Sequence, residues 1–232
     1  MQNIFITGNS QGLGLGLTRY YLQQGDQVYS LSRSACPLQG ESLHHRVQDL
    51  GQLDQIDAAL DLLLPGQLDL VILNAGILGQ IKDLADTTLD ELRQIMDINV
   101  WANKVIIDHL IKRAIPVRQL ILVSSGAAIN GNCGWGGYAI SKASLNMLAQ
   151  LYAHEMPETH LTALAPGLIH TRMQDYLCHD VDRQHYPSIE RLAEAYGSEA
   201  MPEIDAAAER IARCFGQCLD HESGRFVDLR RL

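Results

Sequence analysis

The sequence has few of the features that mark extracellular or membrane proteins. Its cysteines are five, an odd number without a C-x-x-C pair, which fits reduced thiols better than a disulfide framework. No apolar run approaches the ~18 residues that a membrane span needs. The first apolar run starts at Asn3, which leaves no room for a signal peptide. We therefore expect a soluble, cytoplasmic protein that has no membrane partner.

An excess of basic residues is also absent. Lysine and arginine total 18 against 27 acidic residues, which gives a formal net charge of −9. Nucleic-acid-binding surfaces are basic, so we expect no nucleic-acid partner. The chain has 232 residues, of which 47% are hydrophobic. This is enough for a large core, and the length suits one α/β domain over residues 1–232.

Short apolar runs alternate with segments of helical spacing along the whole chain. Continuous apolar runs are typical of strands buried on both faces of a parallel sheet. Strict alternation with helices predicts right-handed crossovers and a Rossmann-type, doubly wound parallel sheet of about seven strands with helices on both faces. The predicted strands cover residues 3–7, 27–32, 44–48, 68–73, 120–124, 161–165 and 224–229.

A glycine-rich turn, GNSQGLGLGL, follows the first predicted strand and opens a helix. Glycines let a backbone turn tightly and approach a pyrophosphate, whose charge is favoured at a helix N-terminus. The spacing Thr7-Gly8, three residues, Gly12, one residue, Gly14 therefore indicates a dinucleotide site. A flexible loop is the alternative, which the strand–helix context disfavours.

Three residues in the segment 119–152 can act together chemically. Ser125 ends a strand, Tyr138 lies where a helix opens, and Lys142 lies one turn further on the same face. A tyrosine has a pKa of ~10, and a nearby cation favours its phenolate and lowers that pKa. Tyr138 then becomes a usable general acid or base, while the Ser125 hydroxyl is a fixed dipole aimed at the same reacting oxygen.

Ser125, twelve further residues and Tyr-Ala-Ile-Ser-Lys resemble the catalytic signature of the short-chain dehydrogenase/reductase family. The resemblance implies reversible hydride transfer between a nicotinamide and a carbonyl or alcohol carbon. It implies that Tyr138 exchanges the proton, Ser125 steadies the oxygen, and Lys142 also binds the nicotinamide ribose. Asn99 would be a fourth catalytic member, whose backbone carbonyl holds a water that links Lys142 to solvent. Without the resemblance, Asn99 reads as a polar position on an exposed helix face.

The same resemblance implies the cofactor contacts. It assigns Asp49 to the adenine amino group, although Asp49 could instead cap a nearby helix, and Leu50 to the adenine ring. Asn74-Ala75-Gly76 is similar to the family's N-A-G turn, and Pro166-Gly167 to its P-G turn. The cofactor-binding set is Gly8, Ser10, Gln11, Gly12, Leu13, Gly14, Arg33, Asp49, Leu50, Asn74, Ala75, Gly76, Tyr138, Lys142, Pro166, Gly167, Ile169 and Thr171.

Two positions bear on the choice between NADP(H) and NAD(H). Ser32 stands where relatives that use NAD often carry an aspartate, and Arg33 offers a planar fork for a 2′-phosphate. Arg33 could also be a solvated loop residue, and Gln11 stands where many NADP-preferring relatives carry a basic residue. We expect NADP(H), with NAD(H) as the alternative.

The polar segment 172–203 is expected to be an irregular loop that closes over substrate, with one helix at 188–196. Its His179, Asp180, Asp182 and His185 are interpreted as solvated residues, so no metal site is expected. By position, the pocket neighbours are Ile129, Trp135, Leu168 and Met173, which suggests a partly apolar carbonyl compound.

Two other functions stay open at this point. A non-catalytic dinucleotide sensor could use the same fold, although a sensor does not need Tyr138. A sugar-nucleotide epimerase or dehydratase would be expected to have a longer chain and differently spaced glycines. The resemblance also implies a homodimer or homotetramer, formed through the long helices that start near Thr88 and Tyr138.

Overall fold

Seven parallel strands form one sheet at the centre of the computed structural model, which describes Met1–Leu232. The strand order is β3-β2-β1-β4-β5-β6-β7, and every neighbouring pair is parallel. This is the doubly wound fold that the alternation of strands and helices predicts. The strands are β1 (Asn3–Thr7), β2 (Gln27–Ser32), β3 (Leu43–Val47), β4 (Leu68–Leu73), β5 (Val117–Val123), β6 (His160–Ala165) and β7 (Phe226–Asp228).

Helices cover both faces of the sheet. They are α1 (Gly12–Gln23), α2 (Leu53–Asp61), α3 (Leu89–Met96), α4 (Ala102–Lys112), α5 (Gly136–Glu155), α6 (Arg172–His179), α7 (Glu190–Ala195) and α8 (Ile204–Cys218). Side chains alternate across a strand, so Phe5 packs with α2, α4 and α5 on one face. Ile4 and Ile6 pack with α1 and α8 on the other face. None of the helices combines the length and the apolarity that crossing a membrane requires.

The strand order reverses between β1 and β4, which are neighbours in the sheet. The loops that leave the carboxyl ends of these two strands run in opposite directions. A crevice therefore opens at this edge, which is where doubly wound sheets bind their ligands.

Two predicted segments differ in the structure. The long helix expected from residue 88 is interrupted at Asp97–Trp101, where one wide π turn separates α3 from α4. The segment 172–203, expected to be irregular apart from one helix, begins with helix α6. The sequence did not predict this helix because most of its residues are polar. Only one side of it is buried, through Leu177 and Cys178. Helix 188–196 is confirmed as a 3₁₀ turn, Pro187–Ile189, followed by α7.

A third, smaller apolar cluster joins the segment 172–203 to the rest of the molecule. Leu177, Ile189 and Leu192 pack there against Leu78 and Ile81, from the loop after β4. We call residues 172–203 the lid, because this cluster holds them across the carboxyl edge of the sheet.

Candidate active site

A cleft of about 1160 Å³ runs along the carboxyl edge of the sheet. Its lining comes from loops that follow β1, β2, β3, β4, β5, β6 and β7, together with the lid. Among the predicted site residues, only Gly14 and Asn99 lie outside the lining. The others line it: Gly8, Ser10, Gln11, Gly12, Leu13, Arg33, Asp49, Leu50, Asn74, Ala75, Gly76, Ser125, Tyr138, Lys142, Pro166, Gly167, Ile169 and Thr171.

The glycines of the first turn serve two different purposes. Gly8 has a φ of +75°, and a Cβ there would lie 2.9 Å from the Cα of Ala75. Gly14 does not face the cleft: a Cβ on it would lie 2.3 Å from the Gly8 carbonyl oxygen. Gly14 thus lets α1 pack against the turn. Gly12, with a φ of +58°, opens α1, and a Cβ on it would lie 3.6 Å from Thr171 Cγ2. The N-terminus of α1 has no side-chain cap and forms an uncapped cradle on the cleft.

Asn74 connects the ends of β4 and β1 beside this turn. Its side-chain Nδ2 donates to the carbonyl oxygens of Thr7 (3.0 Å) and Gly8 (3.2 Å). The Thr7 hydroxyl in turn accepts from the backbone amides of Asn74 (3.0 Å) and Ala75 (3.1 Å). The Asn74 amide is therefore used to fix the two turns together, and its neighbours Ala75 and Gly76 supply the small surface that faces the cleft.

Asn99 lies in the π turn and is completely buried, so the interpretation as an exposed polar position was wrong. Its Oδ1 accepts from the Ile77 amide at 2.8 Å, and its Nδ2 donates to the Ile77 carbonyl and the Ser141 hydroxyl, both at 2.9 Å. Its backbone carbonyl accepts from Asn103 Nδ2 at 2.7 Å. Asn99 thus fixes the peptide after Gly76 from behind the cleft.

Lys142 is only 3% exposed. Its ammonium donates to the Val123 carbonyl at 2.7 Å, and no carboxylate contacts it. Burial lowers its pKa from 10.5 to about 8, because low-dielectric surroundings disfavour the charged form. A Cβ on Gly76 would lie 3.4 Å from Nζ, so the absence of a side chain there leaves the ammonium open towards the cleft.

The pKa of Tyr138 differs from the sequence-based expectation. Burial raises it, and a hydrogen bond with the Ser125 side chain opposes that rise. Lys142 Nζ is 5.6 Å from the centroid of the tyrosine ring, and one of its N–H groups donates to the Val123 carbonyl. In this structure burial therefore outweighs the effects that lower the tyrosine pKa.

Ser125 is held by its own loop. Its Oγ accepts from the Ala127 amide at 3.1 Å and so caps the turn Gly126–Ala128 that leaves β5. The hydroxyl proton stays available to a second acceptor. Ser125, Tyr138 and Lys142 thus all line the cleft.

The far end of the cleft, below β2 and β3, rests on buried polar contacts. The Ser32 Oγ lies 2.7 Å from the Ser34 carbonyl and 3.1 Å from Asn9 Oδ1, either of which can accept its one proton. Asn9 Nδ2 donates to Ser30 Oγ (2.9 Å). Arg33 is exposed on the cleft. Asp49 accepts from the Gly51 amide at 2.9 Å, which is a turn contact and not a cap on α2.

At the opposite end, the lid and the loop after β5 form an apolar wall. Trp135, Leu168 and Met173 line the cleft as expected, and Trp135 Nε1 donates to Ser188 Oγ of the lid at 2.9 Å. Ile129 was wrongly expected there: it is 54% exposed and outside the lining. Sequence reasoning missed Arg191 and Arg230, which both line the cleft. Arg230 follows β7, so the strand-end rule could have found it.

The fold and the cleft define a dinucleotide-binding α/β protein whose polar groups converge at the strand ends. The family model described as short chain dehydrogenase matches residues 2–182. The chain therefore belongs to the short-chain dehydrogenase/reductase family of oxidoreductases, which bind NAD(P)(H) and act on small molecules.

Named relatives agree with this membership. The chain is 34% identical to an uncharacterized oxidoreductase of Schizosaccharomyces pombe over 78% of this chain and 76% of that protein. It is 27% identical to the benzil reductase ((S)-benzoin forming) of Saccharomyces cerevisiae, over 98% and 96% of the two chains. The crystal structure of a short chain dehydrogenase/reductase from S. cerevisiae superposes with a TM-score of 0.85 at 22% identity, covering 99% of this chain and 96% of that one.

Proposed function

We propose that this protein is an NADPH-dependent carbonyl reductase in which Tyr138 is the general acid. The observation that carries the proposal is the ammonium of Lys142, which is buried beside Tyr138 and Ser125 with a single hydrogen bond and no counter-charge. An uncompensated buried cation is unfavourable for folding. Such a group is typical of a functional site, and the relatives' name as benzil reductases supports reduction of a carbonyl.

The residues present fit a nicotinamide dinucleotide. The N-terminus of α1 and the uncapped cradle at Gly12 suit a pyrophosphate, and the free N–H groups of Lys142 suit ribose hydroxyls. When bound, the reduced nicotinamide supplies the hydride. The protein supplies position and electrostatics.

The proposed roles follow from the contacts. Tyr138 donates its proton to the carbonyl oxygen, and its raised pKa keeps it protonated until charge develops on that oxygen. Ser125, fixed by the Ala127 amide, donates to the same oxygen. The cation of Lys142 favours the tyrosinate left after transfer. Asn99 holds the Ile77 peptide that forms the floor of the site.

The preference for NADPH rests on the end of β2. Ser32 carries no charge that would repel a 2′-phosphate, and its hydroxyl is engaged by Asn9 or Ser34. Arg33 forms no ion pair within the protein and lines the cleft, so its guanidinium is free to bind a phosphate.

The test is NADPH oxidation with benzil and a panel of aldehydes and ketones. Tyr138→Phe should lower kcat by about 10²- to 10⁴-fold, the usual contribution of general acid catalysis, while the Kd for NADPH stays unchanged. Tyr20→Phe, at a half-buried tyrosine of α1 that does not line the cleft, is the matched control. Tight NADPH binding without turnover of any carbonyl would instead support the sensor.

We also propose self-association through α4 and α5. The outer faces of these helices, with Trp101 from the π turn before α4, carry exposed apolar side chains: Trp101, Ile111, Ile140, Met147 and Leu151. Apolar clusters of this kind mark interaction surfaces, and the spacing of Ile140, Met147 and Leu151 aligns them along one side of α5. Light scattering should give a dimer or tetramer mass, and Met147→Glu should lower it. A monomer mass for the native protein would contradict this proposal.

A cytoplasmic location is proposed from the thiols. All five cysteines are free, as expected in a reducing compartment. Cell fractionation that finds the protein outside the cytosol would contradict it.

A further inference from the structure

The charge on the cleft is opposite to that of the molecule. The protein has a formal net charge of −9, yet Asp49 is the one acidic residue on the cleft lining. The basic residues there are Arg33, Lys142, Arg172, Arg191 and Arg230. A concave surface lined by one sign of charge concentrates ligands of the other sign. Arg33 and Lys142 are already assigned to the cofactor, and Arg230 lies at the other end, beside Ser125.

Arg230 is fixed by the strand that precedes it. Asp228, the last residue of β7, is only 7% exposed. Its carboxylate accepts from Arg230 Nε at 2.9 Å and from Nη2 at 2.6 Å, and also from the Arg230 backbone amide at 3.1 Å. This two-point contact orients the guanidinium plane. Nη1 and the second proton of Nη2 receive no partner from the protein.

The Arg230 side chain lies between the loops that follow β5 and β6. A Cβ on Gly126 would lie 3.2 Å from Arg230 Nη2, and a Cβ on Gly167 would lie 3.6 Å from Arg230 Cγ. Gly126 directly follows Ser125, and Gly167 directly follows Pro166. The two glycines thus leave room for an arginine side chain next to the serine that faces the reacting oxygen.

We propose that Arg230 is a specificity residue that binds a carboxylate of the substrate, next to the carbonyl that is reduced. The substrate class is then a 2-oxo acid with an apolar body, which the wall of Trp135, Leu168 and Met173 would contact. An arginine edge matches the two oxygens of a carboxylate. The hydride goes to the carbonyl carbon, the Tyr138 proton goes to its oxygen, and the carboxylate is unchanged in the 2-hydroxy acid product.

This inference rests on the proposed carbonyl reductase function, so the probes must separate the two. Benzoylformate and 1-phenylpropane-1,2-dione share the phenyl ketone and differ in a carboxylate against a neutral acetyl group. The native protein should reduce benzoylformate with the lower KM. Arg230→Met should raise that KM by about 10- to 100-fold, the range for hydrogen bonds to a charged group. The KM for the dione should change by less than about 2-fold.

The chain provides a matched control one residue away. Arg231→Met removes the same charge, but Arg231 is exposed and does not line the cleft, so both KM values should stay at the native level. Arg230→Lys keeps the charge and should recover part of the benzoylformate affinity. Melting temperatures and the Kd for NADPH, measured on every variant, report on folding and on the cofactor.

Several results would overturn the inference. Equal losses with both probes, or loss of NADPH affinity in Arg230→Met, would assign Arg230 to the fold or to the cofactor. Reduction of the dione without preference for benzoylformate would refute the carboxylate contact and leave the reductase intact. If neither probe is reduced, calorimetry of benzoate against benzamide on the NADPH-loaded protein decides. Selective benzoate binding that Arg230→Met removes supports the contact, and equal binding refutes it.

Discussion

The two ends of the cleft are built in different ways. The end below β1, β2 and β4 is formed by backbone turns, in which Gly8 and Gly14 touch neighbouring backbone and Asn74 joins two strand ends. The end below β5, β6 and the lid is formed by side chains, such as Trp135 and Arg230, on loops and short helices. The first end admits few residue types, whereas the second can change its lining without changing the fold. We therefore expect the second end to determine substrate choice.

We call the end below β1, β2 and β4 the rigid end. The substitution with the largest expected effect on it is Gly14→Ala. The new Cβ would lie 2.3 Å from the Gly8 carbonyl oxygen and 2.6 Å from Asn74 Nδ2, and both groups are fixed. We expect the free energy of unfolding to fall by about 3 kcal/mol, the upper part of the range for overpacking, and NADPH binding to be lost.

The matched control for this change is Gly216→Ala. Gly216 lies on the exposed side of α8, and nothing is within 4 Å of the position of its Cβ. Alanine should stabilise that helix by about 0.5 to 1 kcal/mol. Chemical denaturation measures both variants, and a stable Gly14→Ala protein that binds NADPH would show that this end is not rigid.

Arg33→Ala tests whether the rigid end also selects the cofactor. Loss of charge-assisted hydrogen bonds costs about 1.5 to 3 kcal/mol, so NADPH binding should weaken by about 10- to 100-fold. NADH binding should change little, because NADH lacks the 2′-phosphate. Fluorescence titration gives both Kd values, and Arg46→Ala, on the exposed side of β3, is the control. Equal losses for the two cofactors would refute the phosphate contact.

The difference between the ends explains what could be read from the sequence. Gly8, Gly12 and Gly14 can be recognised in the sequence because the backbone geometry requires glycine at a fixed spacing. Apolar runs indicate buried strands directly. Helix α6 could not be recognised in the sequence, since only Leu177 and Cys178 are buried on it. Ile129 was placed in the cleft because a position in a loop does not give a side-chain direction. Arg230 was missed because its role depends on Asp228 and on two distant glycines.

The pKa of Tyr138 marks a second limit of sequence reasoning. The spacing of Tyr138 and Lys142 places them on one helix face, which the structure has. Burial raises the pKa of Tyr138, which this spacing does not reveal, and the Lys142 ammonium donates to the Val123 carbonyl. No pattern of residues predicts a contact to a backbone carbonyl of another element.

Lys142→Met tests whether the buried ammonium of Lys142 lowers the free energy of unfolding. The lowered pKa of Lys142 corresponds to about 3 kcal/mol of destabilisation at pH values well below 8, and losing the bond to Val123 removes about 1 kcal/mol. The variant should therefore be inactive and more stable than the native protein by about 2 kcal/mol at pH 7.

The pH dependence of the stability difference between Lys142→Met and the native protein gives the control. The penalty of the protonated lysine is present in full below its folded pKa of about 8, and it is relieved as the pH rises towards 10.5. The gap in melting temperature between Lys142→Met and native protein should therefore shrink above pH 8. A variant less stable than the native protein at pH 7 would show that the ammonium is well compensated.

The smallest expected effect concerns the contacts between His170 and the lid. His170 lies in the loop after β6 and contacts Glu203, Asp175 and Tyr196. Its Nδ1 is 2.7 Å from Glu203 Oε1, and its Nε2 is 3.1 Å from Asp175 Oδ1 and 2.9 Å from the Tyr196 hydroxyl. The hydrogen bond with Glu203 raises the pKa of His170 most, burial opposes the rise, and Asp175 adds to it. Another titratable side chain beside this cluster is His179, whose ring meets that of Tyr196 edge to face.

The sign of the effect follows from this raised pKa. The stabilisation by protonated His170 is fully present below its ordinary pKa of ~6.5 and is lost as the pH rises through the raised value. Trypsin should therefore cut the native lid, at Arg172, Arg183 or Arg191, more slowly at pH 6 than at pH 8.5, after correction with a peptide substrate. His170→Gln should remove this difference and His154→Gln, exposed on α5, should keep it. If His170→Gln retains the native pH dependence, the lid is held by its apolar cluster alone, and the two ends of the cleft are more alike in rigidity than their construction indicates.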